Sequence, residues 1–423
     1  MHYSRTRTHE RRRARRIRRI RMLVFFNAIL LAALAGAGWT IYSALRDSPQ
    51  AAPPATPAAP SHAAGTDAPA SQAPPAASQE PAAAPPAEAP AGETDGPGSA
   101  ERDGLVTLAF VGDILPAGSV ARLMERYGYD FPFLEAMALL SAADIAAGNL
   151  ESAITEQGTP AENKQYLFRG PAAALPAIRD AGFDVLNLAN NHTLDYGWIG
   201  LKDTMDALDD HGIRHVGAGA DDREAFAPVY VEAGGITVAF VGVSNVVPEV
   251  SWKAGPKNAG VAELYDPRRA LEAVREADRN ADVVVVLVHW GVERSETPEA
   301  YQKEKGRQLI DAGADLVIGS HPHVLQGIEA YNGKWIAYSL GNFVFNMTTS
   351  SRTAETGVLW AECVKGGQCG LTFYPMKAEN TQPRPLEGEA RKAILDRLAA
   401  LSYGVEVLED GRIRAAGQDG PPR

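Results

Sequence analysis

Five short apolar runs, separated by segments of helical character, dominate the chain after residue 104. Each run is continuous and rich in Val, Leu and Ile, which is typical of strands buried on both faces. The runs are 106–113, 184–190, 236–243, 282–290 and 315–323. The segments between them that predict helices are 131–144, 171–182, 198–212, 266–280 and 298–313. This alternation predicts an α/β fold with helices covering the faces of a sheet.

The C-terminal part has a different pattern. Segments 333–345, 357–379 and 405–415 predict antiparallel β-hairpins, with a helix at 388–401 between the last two. Two sheets, or one sheet extended by a layer of hairpins, would accommodate them. We therefore expect a main domain over residues 104–380 and a C-terminal helix and hairpin extension over 381–423.

An uncharged apolar stretch at 22–45 precedes these elements. It is long enough to cross the roughly 30 Å hydrocarbon layer as a helix. A cleaved signal peptide is the alternative, but the apolar region of a signal is usually shorter, about 7 to 15 residues. Ten arginines in residues 1–21 favour a cytoplasmic N terminus. We expect a single-pass plasma-membrane protein whose main domain is extracellular.

Residues 46–103 cannot form a core. They contain thirteen of the chain's 29 prolines and almost no large apolar side chain, so this segment predicts a disordered Pro/Ala-rich linker. The formal net charge is -11 despite the basic arm at 1–21, so the rest of the chain is strongly acidic. The position of that arm beside a membrane span favours contact with anionic lipid over nucleic-acid binding.

Cys363 and Cys369 are the chain's two cysteines, and they flank Gly366-Gly367. A Gly-Gly pair between strand-like runs predicts a hairpin turn, which places the flanking positions opposite each other. In an oxidising compartment we expect a disulfide between the two cysteines. Two free thiols are the alternative.

Polar side chains follow the apolar runs where each strand is predicted to end. They are Asp113, Glu151, Asn191, His192, His289, His321 and His323. In open α/β sheets, ligands bind at the carboxyl ends of strands, so these groups can converge. Taken alone, His289 could be a hydrogen-bonded core histidine, Asp113 a cap and Asn149 a turn former. Taken together they form a mixed nitrogen and oxygen ligand set suited to a divalent metal such as Mn, Fe, Co or Zn.

The motifs that carry these residues resemble those of a known family. VGDILPAG, AAGNLESAIT, NLANNHTLDYG, VLVHWG, IGSHPHV and AYSLGNFVF occur in this order over residues 105–377. They resemble the CapA family of bacterial capsule and poly-γ-glutamate biosynthesis proteins, which looks like a branch of the calcineurin-type metallophosphoesterases. The resemblance implies a metallophosphatase-like β-sandwich flanked by helices.

The resemblance also implies roles for individual residues. Asp113 and His323 would hold one metal ion, Asn191, His289 and His321 the other, and Glu151 would bridge them. His192 would replace the acid that protonates a leaving group. The residues expected to support these ligands or to contact substrate are Asn149, Asp195, Arg169 and Asn342.

The sequence departs from the phosphoesterase pattern at two positions. Leu115 stands where that pattern has a histidine, so the first metal would have one imidazole fewer. Glu151 stands where the pattern has a bridging aspartate.

Three functions are compatible with the sequence. The first is a membrane-anchored protein acting in synthesis, export or anchoring of a capsular polymer of the poly-γ-glutamate type, alongside polyglutamate synthase or export subunits. The second is a cell-surface metal-dependent hydrolase of phosphoesters or amides, unrelated to capsule. The third is a binding protein without turnover. An acidic domain opposes a broad electrostatic grip on a polyanion. Contact with an anionic polymer would therefore be local, through the metal and the loop that contains Lys164 and Arg169.

Overall fold

The structure is a computed structural model that describes residues 104–162, 164–346 and 350–417. The predicted basic arm, membrane span and linker lie outside the described residues. None of the helices within the described ranges has the length and apolar character required to cross a bilayer.

Twenty strands and nine α-helices form the described part of the chain. The first ten strands are Leu105–Ile114 (β1), Ile145–Leu150 (β2), Ala153–Ile154 (β3), Arg169–Gly170 (β4), Phe183–Asn187 (β5), Arg214–Val216 (β6), Ala218–Gly219 (β7), Val229–Ala233 (β8), Ile236–Ser244 (β9) and Gly260–Val261 (β10). The other ten are Val283–His289 (β11), Leu316–Ser320 (β12), Ile328–Tyr331 (β13), Lys334–Ala337 (β14), Asn342–Val344 (β15), Glu355–Val364 (β16), Gln368–Glu379 (β17), Gln382–Pro385 (β18), Val405–Val407 (β19) and Arg412–Ala415 (β20). The helices are Ser119–Tyr127 (α1), Met137–Leu140 (α2), Leu175–Ala181 (α3), Gly197–Asp210 (α4), Asp222–Ala225 (α5), Arg268–Asn280 (α6), Ala300–Asp311 (α7), Ser351–Ala354 (α8) and Gly388–Leu401 (α9).

Two large sheets carry the fold. Sheet one has the order β19-β20-β17-β16-β1-β2-β5-β6, with β15 pairing to β1 and β18 to β17. Its β1, β2, β5 and β6 run parallel, whereas β16 is antiparallel to β1. Sheet two has the order β13-β14-β12-β11-β9-β8, with β9, β11, β12 and β14 parallel. The carboxyl ends of several parallel strands are therefore available in each sheet.

The central strands are buried on both faces, which explains their uninterrupted apolar sequences. In β1, Leu108 and Phe110 enter the core shared by the two sheets, and Ala109 and Val111 pack toward the helices on the outer face. This split follows the two-residue period of a strand. Helices α1 to α4 cover sheet one, and α6 and α7 cover sheet two. The result is the predicted α/β arrangement, a β-sandwich flanked by helices.

The polypeptide crosses from sheet two to sheet one between β14 and β15, and two glycines allow this crossing. A Cβ at Gly112 would lie 1.9 Å from the carbonyl oxygen of Gly341, and a Cβ at Gly319 would lie 2.0 Å from that of Tyr338. Any side chain at either position would collide with the backbone of the crossing segment. Because β15 then pairs with β1 in register Asp113 to Asn342, the crossing brings Asn342 beside Asp113.

All five predicted strands are confirmed, as are the hairpins β16–β17 and β19–β20. The helix predicted over 131–144 is wrong. These residues form a 3₁₀ turn, Phe131–Phe133, and the one-turn α2. Phe133 instead turns inward, with its ring centroid 6.0 Å from that of Phe183, so tertiary packing overrides helix propensity here.

The hairpin predicted over 333–345 is also wrong, because its two strands belong to different sheets. The C-terminal residues extend sheet one, since β18 and β20 both pair with β17. Helix α9 contributes Ile394, Leu395 and Leu398 to the core between the sheets. Segment 381–417 therefore shares its core with the main domain.

The structure joins Cys363 and Cys369 by a disulfide across the β16–β17 hairpin, where the two residues are register partners. The hairpin tip lies against sheet two. Trp335 donates its indole N–H to the Cys369 carbonyl at 2.8 Å, and Lys334 donates to the Gly367 carbonyl at 2.8 Å. The tip thus ties the two sheets together through hydrogen bonds that do not depend on the disulfide.

Candidate metal centre

The six predicted metal ligands converge at one end of the sandwich. Sheet one supplies Asp113 from β1, Glu151 from the residue after β2, and Asn191 from the loop after β5. Sheet two supplies His289 from the end of β11, with His321 and His323 following β12. All six side chains are buried, with no more than 8% of any residue exposed. The site therefore spans the junction of the two sheets.

Two close pairs join ligands from opposite sheets. His289 Nε2 lies 2.8 Å from Asn191 Oδ1, and His323 Nδ1 lies 3.2 Å from Asp113 Oδ2. The His321 ring lies next to the His289 ring, with a centroid separation of 4.7 Å. These contacts bring Asp113 next to His323, and Asn191 and His321 next to His289.

Glu151 lies at the centre of the cluster. Its Oε1 atom is 3.8 Å from the Nε2 atoms of both His289 and His323. Within the described residues, two compact groups of potential ligands can hold an ion: Glu151 with His321 and His323, and Glu151 with Asp113 and His289. These groups cut across the predicted division of the histidines. Glu151 belongs to both groups, as a bridging residue would.

The HPH segment has an unusual backbone. His321 and His323 both adopt positive φ angles, 97° and 57°. Non-glycine residues rarely adopt this region, and such strain is concentrated at functional sites. The His321 N–H also faces the Asp113 carboxylate, 3.4 Å from each oxygen. The strained turn therefore directs both the backbone and the imidazoles of this segment into the cluster.

The electrostatics of the cluster favour the neutral form of His289 and His321. Burial and the neighbouring histidines lower the pKa of His289 well below its ordinary value, and burial lowers the pKa of His321 to about 3. Burial together with the Asp113 charge raises the pKa of Glu151 well above its ordinary value. Burial alone would raise the pKa of Asp113 too, but its hydrogen bond to His323 brings that pKa below the usual range. Neutral imidazoles are the form that binds metal ions.

Amide side chains hold the carboxylates in place. Asn149 donates to Asp113 Oδ1 at 2.9 Å and also lies 3.4 Å from Glu151 Oε2. The side-chain oxygen of Asn149, Oδ1, accepts hydrogen bonds from the side-chain amides of Asn187 and Asn190, each at 3.2 Å. The sequence did not single out Asn187 or Asn190. The sequence feature that could have identified them is an asparagine at the last residue of the apolar strand β5 and another three residues later.

The imidazoles have partners of their own. His289 Nδ1 lies 3.0 Å from Ser320 Oγ, and His323 Nδ1 lies 3.0 Å from Asn342 Oδ1. Contacts of this kind fix the orientation and tautomer of a ligating histidine. Asn342 therefore supports a ligand, as the resemblance implied, while Ser320 is an addition from the structure.

His192 lies beside the ligands with its own carboxylate partner. Its Nδ1 atom is 2.8 Å from Asp195 Oδ2 and 3.0 Å from Lys164 Nζ. Lys164 also forms an ion pair with Asp195 and donates to the Asn191 carbonyl. Burial lowers the pKa of both His192 and Lys164, and in each case Asp195 opposes that effect. No spacing in the sequence linked Lys164 to His192.

Arg169 packs against an aromatic side chain. Its exposed guanidinium group lies over the Tyr196 ring, 4.7 Å from the centroid.

Leu115 is buried against Ala117 and Phe345, so an apolar contact occupies the place of the missing histidine.

The residues fit a divalent metal ion. Within the described residues, Glu151 Oε1 and His321 Nδ1 are buried and have no hydrogen-bond partner. An orphaned buried polar atom is costly, by about 1–3 kcal/mol, and a bound cation would satisfy both. Carboxylate oxygens, neutral imidazoles and an amide oxygen form a ligand set that suits borderline divalent metals.

Residues 107–347 match the family described as "Bacterial capsule synthesis protein PGA_cap". The chain is 33% identical over 315 residues to "PGA biosynthesis protein CapA" of Bacillus subtilis (strain 168), covering 74% of this chain and 82% of that protein. It is 32% identical over 286 residues to "Capsule biosynthesis protein CapA" of Bacillus anthracis, covering 66% and 69%. Among solved structures, the sulfate thiohydrolase SoxB of Thermus thermophilus aligns with 70% of this chain and 60% of its own at 15% identity, with a TM-score of 0.36.

Proposed function

We propose, because the chain belongs to the bacterial capsule synthesis protein PGA_cap family, that it acts in the biosynthesis of a capsular polymer of the poly-γ-glutamate type. The observation that carries a chemical role within this process is the buried ligand cluster. Two carboxylates, three imidazoles and an amide oxygen from both sheets converge there, and two of their atoms lack protein partners.

The residues have separable roles in this proposal. Asp113, Glu151, Asn191 and the three histidines at or after the ends of β11 and β12 would hold one or two divalent ions of the Mn, Fe or Zn type. A bound ion would act as a Lewis acid that polarises a carbonyl or phosphoryl oxygen. Glu151, common to both compact ligand groups, supplies the negative charge shared between them.

His192 supplies a proton at the edge of the cluster. In this proposal Nδ1 carries the proton that the Asp195 carboxylate accepts, and the Lys164 ammonium donates to Asp195 and to the Asn191 carbonyl instead of to Nδ1. Nε2 is then the atom left for proton exchange. Lys164 lies close to both residues and fixes their relative position. A histidine held in one tautomer by a carboxylate is suited to general acid–base catalysis.

The pair of His192 and Asp195 also favours a second candidate function, a metal-dependent hydrolase of phosphoesters or amides. A protein that only binds polymer has no need of an oriented proton donor. Cleavage of a polymer or of its precursor would join the two candidates, since the same site would act within capsule biosynthesis.

The proposed place of action is the outer face of the plasma membrane. Residues 22–45 would anchor the chain and the acidic linker would hold the domain away from the surface. Polyglutamate synthase or export subunits are the proposed partners. This part of the proposal rests on the sequence of residues 1–103.

A deletion and complementation experiment tests the function. In a strain that makes the polymer, we expect deletion of the gene to abolish surface-bound glutamate polymer, measured as glutamate released by acid hydrolysis of washed cells. Wild type and His211→Ala should restore it, because His211 lies outside the site, at the end of α4. His289→Ala should not. Full polymer in the deletion strain would overturn the capsule function, and full rescue by His289→Ala would overturn the role of the site.

A further inference from the structure

A cavity of about 530 Å³ lies at the start of α4, next to the loop that contains His192. Leu194 and Gly197 line it from the segment that follows His192, Trp198 from the start of α4, and Trp252, Lys257 and Asn258 from the loop between β9 and β10. Its size falls within the range of ligand pockets, about 300–1,000 Å³. None of the roles assigned above uses this cavity.

The cavity wall is linked to His192 by one stretch of chain and by one side-chain contact. Leu194 is two residues from His192 in the same loop. Trp252 lies in the cavity wall, and Lys164 Nζ is 5.3 Å from the centroid of its indole ring. Since Lys164 Nζ is also 3.0 Å from His192 Nδ1, the Trp252 and Lys164 side chains together link the cavity wall to the proposed proton donor.

The cavity wall contains one charged side chain, the cation Lys257, in a protein whose net charge is negative. None of its described lining residues carries a carboxylate, and Lys257 has no ion-pair partner within the described residues. By contrast, Lys253 in the same loop pairs with Glu263 at 3.8 Å and lies over the Tyr265 ring. Helix α4 begins at the cavity without a side-chain cap or an acidic first turn, so its dipole adds to the positive potential. Lys257 is thus the cation of this loop that remains available for an anionic ligand.

We propose that this cavity binds a segment of a γ-linked glutamate chain. The inference rests on the proposed function, whose polymer it places on the molecule. Each unit of such a chain has a carboxylate that suits Lys257 and an aliphatic stem that suits the indoles of Trp198 and Trp252. Its amide can pair with polar groups such as that of Asn258. Unlike a broad basic surface, a local pocket of this kind agrees with the negative charge of the whole chain.

Binding is tested with the full-length protein in detergent and with chelator present, so that the metal centre makes no contribution. The probe is a γ-linked glutamate oligomer of defined length, titrated by calorimetry. The comparison ligands are the uncharged γ-linked glutamine oligomer and an N-acetylglucosamine oligomer, which would exploit the indoles but not the lysine. We expect binding of the glutamate oligomer alone, weakening as salt screens the charge contact.

The variants locate the binding site. Lys257→Gln should weaken the Kd about fivefold to tenfold, the effect of one lost contact to a charged group, and Lys257→Arg should restore it. Trp198→Ala should weaken it by a similar factor or more, because exposed aromatics are strong contributors to ligand contact. Lys253→Gln is the matched control and should bind like wild type.

Three results would overturn the assignment. They are no binding by wild type, tighter binding of the sugar oligomer, or a Kd unaffected by Lys257→Gln and Trp198→Ala. If both variants bind the glutamate oligomer as tightly as wild type does, the cavity is not the binding site, although the capsule function can still hold. The capsule function itself is decided by the complementation experiment, which requires no ligand binding in vitro.

Discussion

His289 Nε2 and Asn191 Oδ1 lie 2.8 Å apart, although 98 residues separate them in the chain and they belong to different sheets. His323 and Asp113 make a second contact of this kind at 3.2 Å. The metal centre therefore lies across the junction of the two sheets, and whatever binds there connects them. Binding at the site and the stability of the domain should be coupled.

Metal removal should lower the stability of the protein. A ligand present at a hundred times its Kd stabilises the folded state by about 2.7 kcal/mol, which corresponds to several degrees in Tm for a domain of this size. We expect Mn²⁺ or Zn²⁺ to raise the Tm of chelator-treated protein, measured by differential scanning calorimetry. Mg²⁺, which prefers oxygen ligands and its own waters, should raise it less. An unchanged Tm with every metal would mean that the polar groups only satisfy one another.

Replacing ligands should separate the two groups that contain Glu151. Glu151→Gln keeps the shape but removes the charge common to both, so we expect it to lower total metal content most. His289→Ala and Asp113→Ala should each lower metal content by a smaller amount. The measurement is metal per protein by mass spectrometry after dialysis against Mn²⁺ or Zn²⁺. His211→Ala is the control, and equal occupancy in Glu151→Gln and wild type would contradict the bridging role.

His192 should behave differently from the ligands. His192→Ala should leave metal binding intact, because His192 is a proton donor in this proposal. If the protein turns over a substrate, the rate should fall by about 10²–10⁴-fold, the usual contribution of a positioned acid. Asp195→Asn should lower kcat by less, about 10–100-fold, because it leaves the imidazole in place but removes the carboxylate that orients it. Titration calorimetry and initial rates check both, and loss of metal binding in His192→Ala would refute this division of roles.

The disulfide should contribute little to stability. The bond closes a loop with a sequence separation of only six, for which chain entropy predicts about 2 kcal/mol at most. Hydrogen bonds from Lys334 and Trp335 also hold the hairpin tip. We expect the protein purified without reductant to be two hydrogens lighter than the reduced chain by mass spectrometry. Reduction should leave the metal Kd unchanged, and two alkylatable thiols in untreated protein would contradict the bond.

The proposed membrane anchor at residues 22–45 predicts that protease can reach the folded domain on intact protoplasts. Protease added to protoplasts should remove the domain after residue 104 and leave a fragment that contains residues 22–45. A cytoplasmic marker protein should remain uncut, which controls for lysis. Protection of the domain in protoplasts that remain intact would exclude the extracellular orientation.

The sequence predicted the central strands and the site far better than the edges of the fold. Strands such as β1 and β11 are buried on both faces, so they must be apolar whichever strands lie next to them. The residue that ends each strand then lies at a known edge of the sheet. Asp113 and His289 could therefore be identified without knowledge of the strand order.

Contacts made by loops could not be predicted in the same way. The position of Lys164 depends on a loop whose path is set by tertiary contacts, such as the hydrogen bond from the Phe168 N–H to Asp195 Oδ2 at 2.6 Å. Asn342 could be placed through its motif, but its register beside Asp113 depends on the crossing between sheets. The cavity beside Trp252 is formed by a loop whose sequence has no regular alternation of apolar and polar residues, so its conformation could not be predicted. In each case the relevant contact joins residues far apart in sequence, where local pattern carries no information.

The Asp113 carboxylate meets the His321 N–H across 208 residues of chain, and this distance governs the order of folding. A nascent polypeptide can form β1, β2 and β5 early, but the site cannot close until β12 and β15 have been synthesised and the two sheets have met. Non-local contacts of this kind make folding slow and leave intermediates with exposed apolar strands. Until the sheets meet, the polar groups at the carboxyl ends of β1, β2 and β5 lack their partners from sheet two.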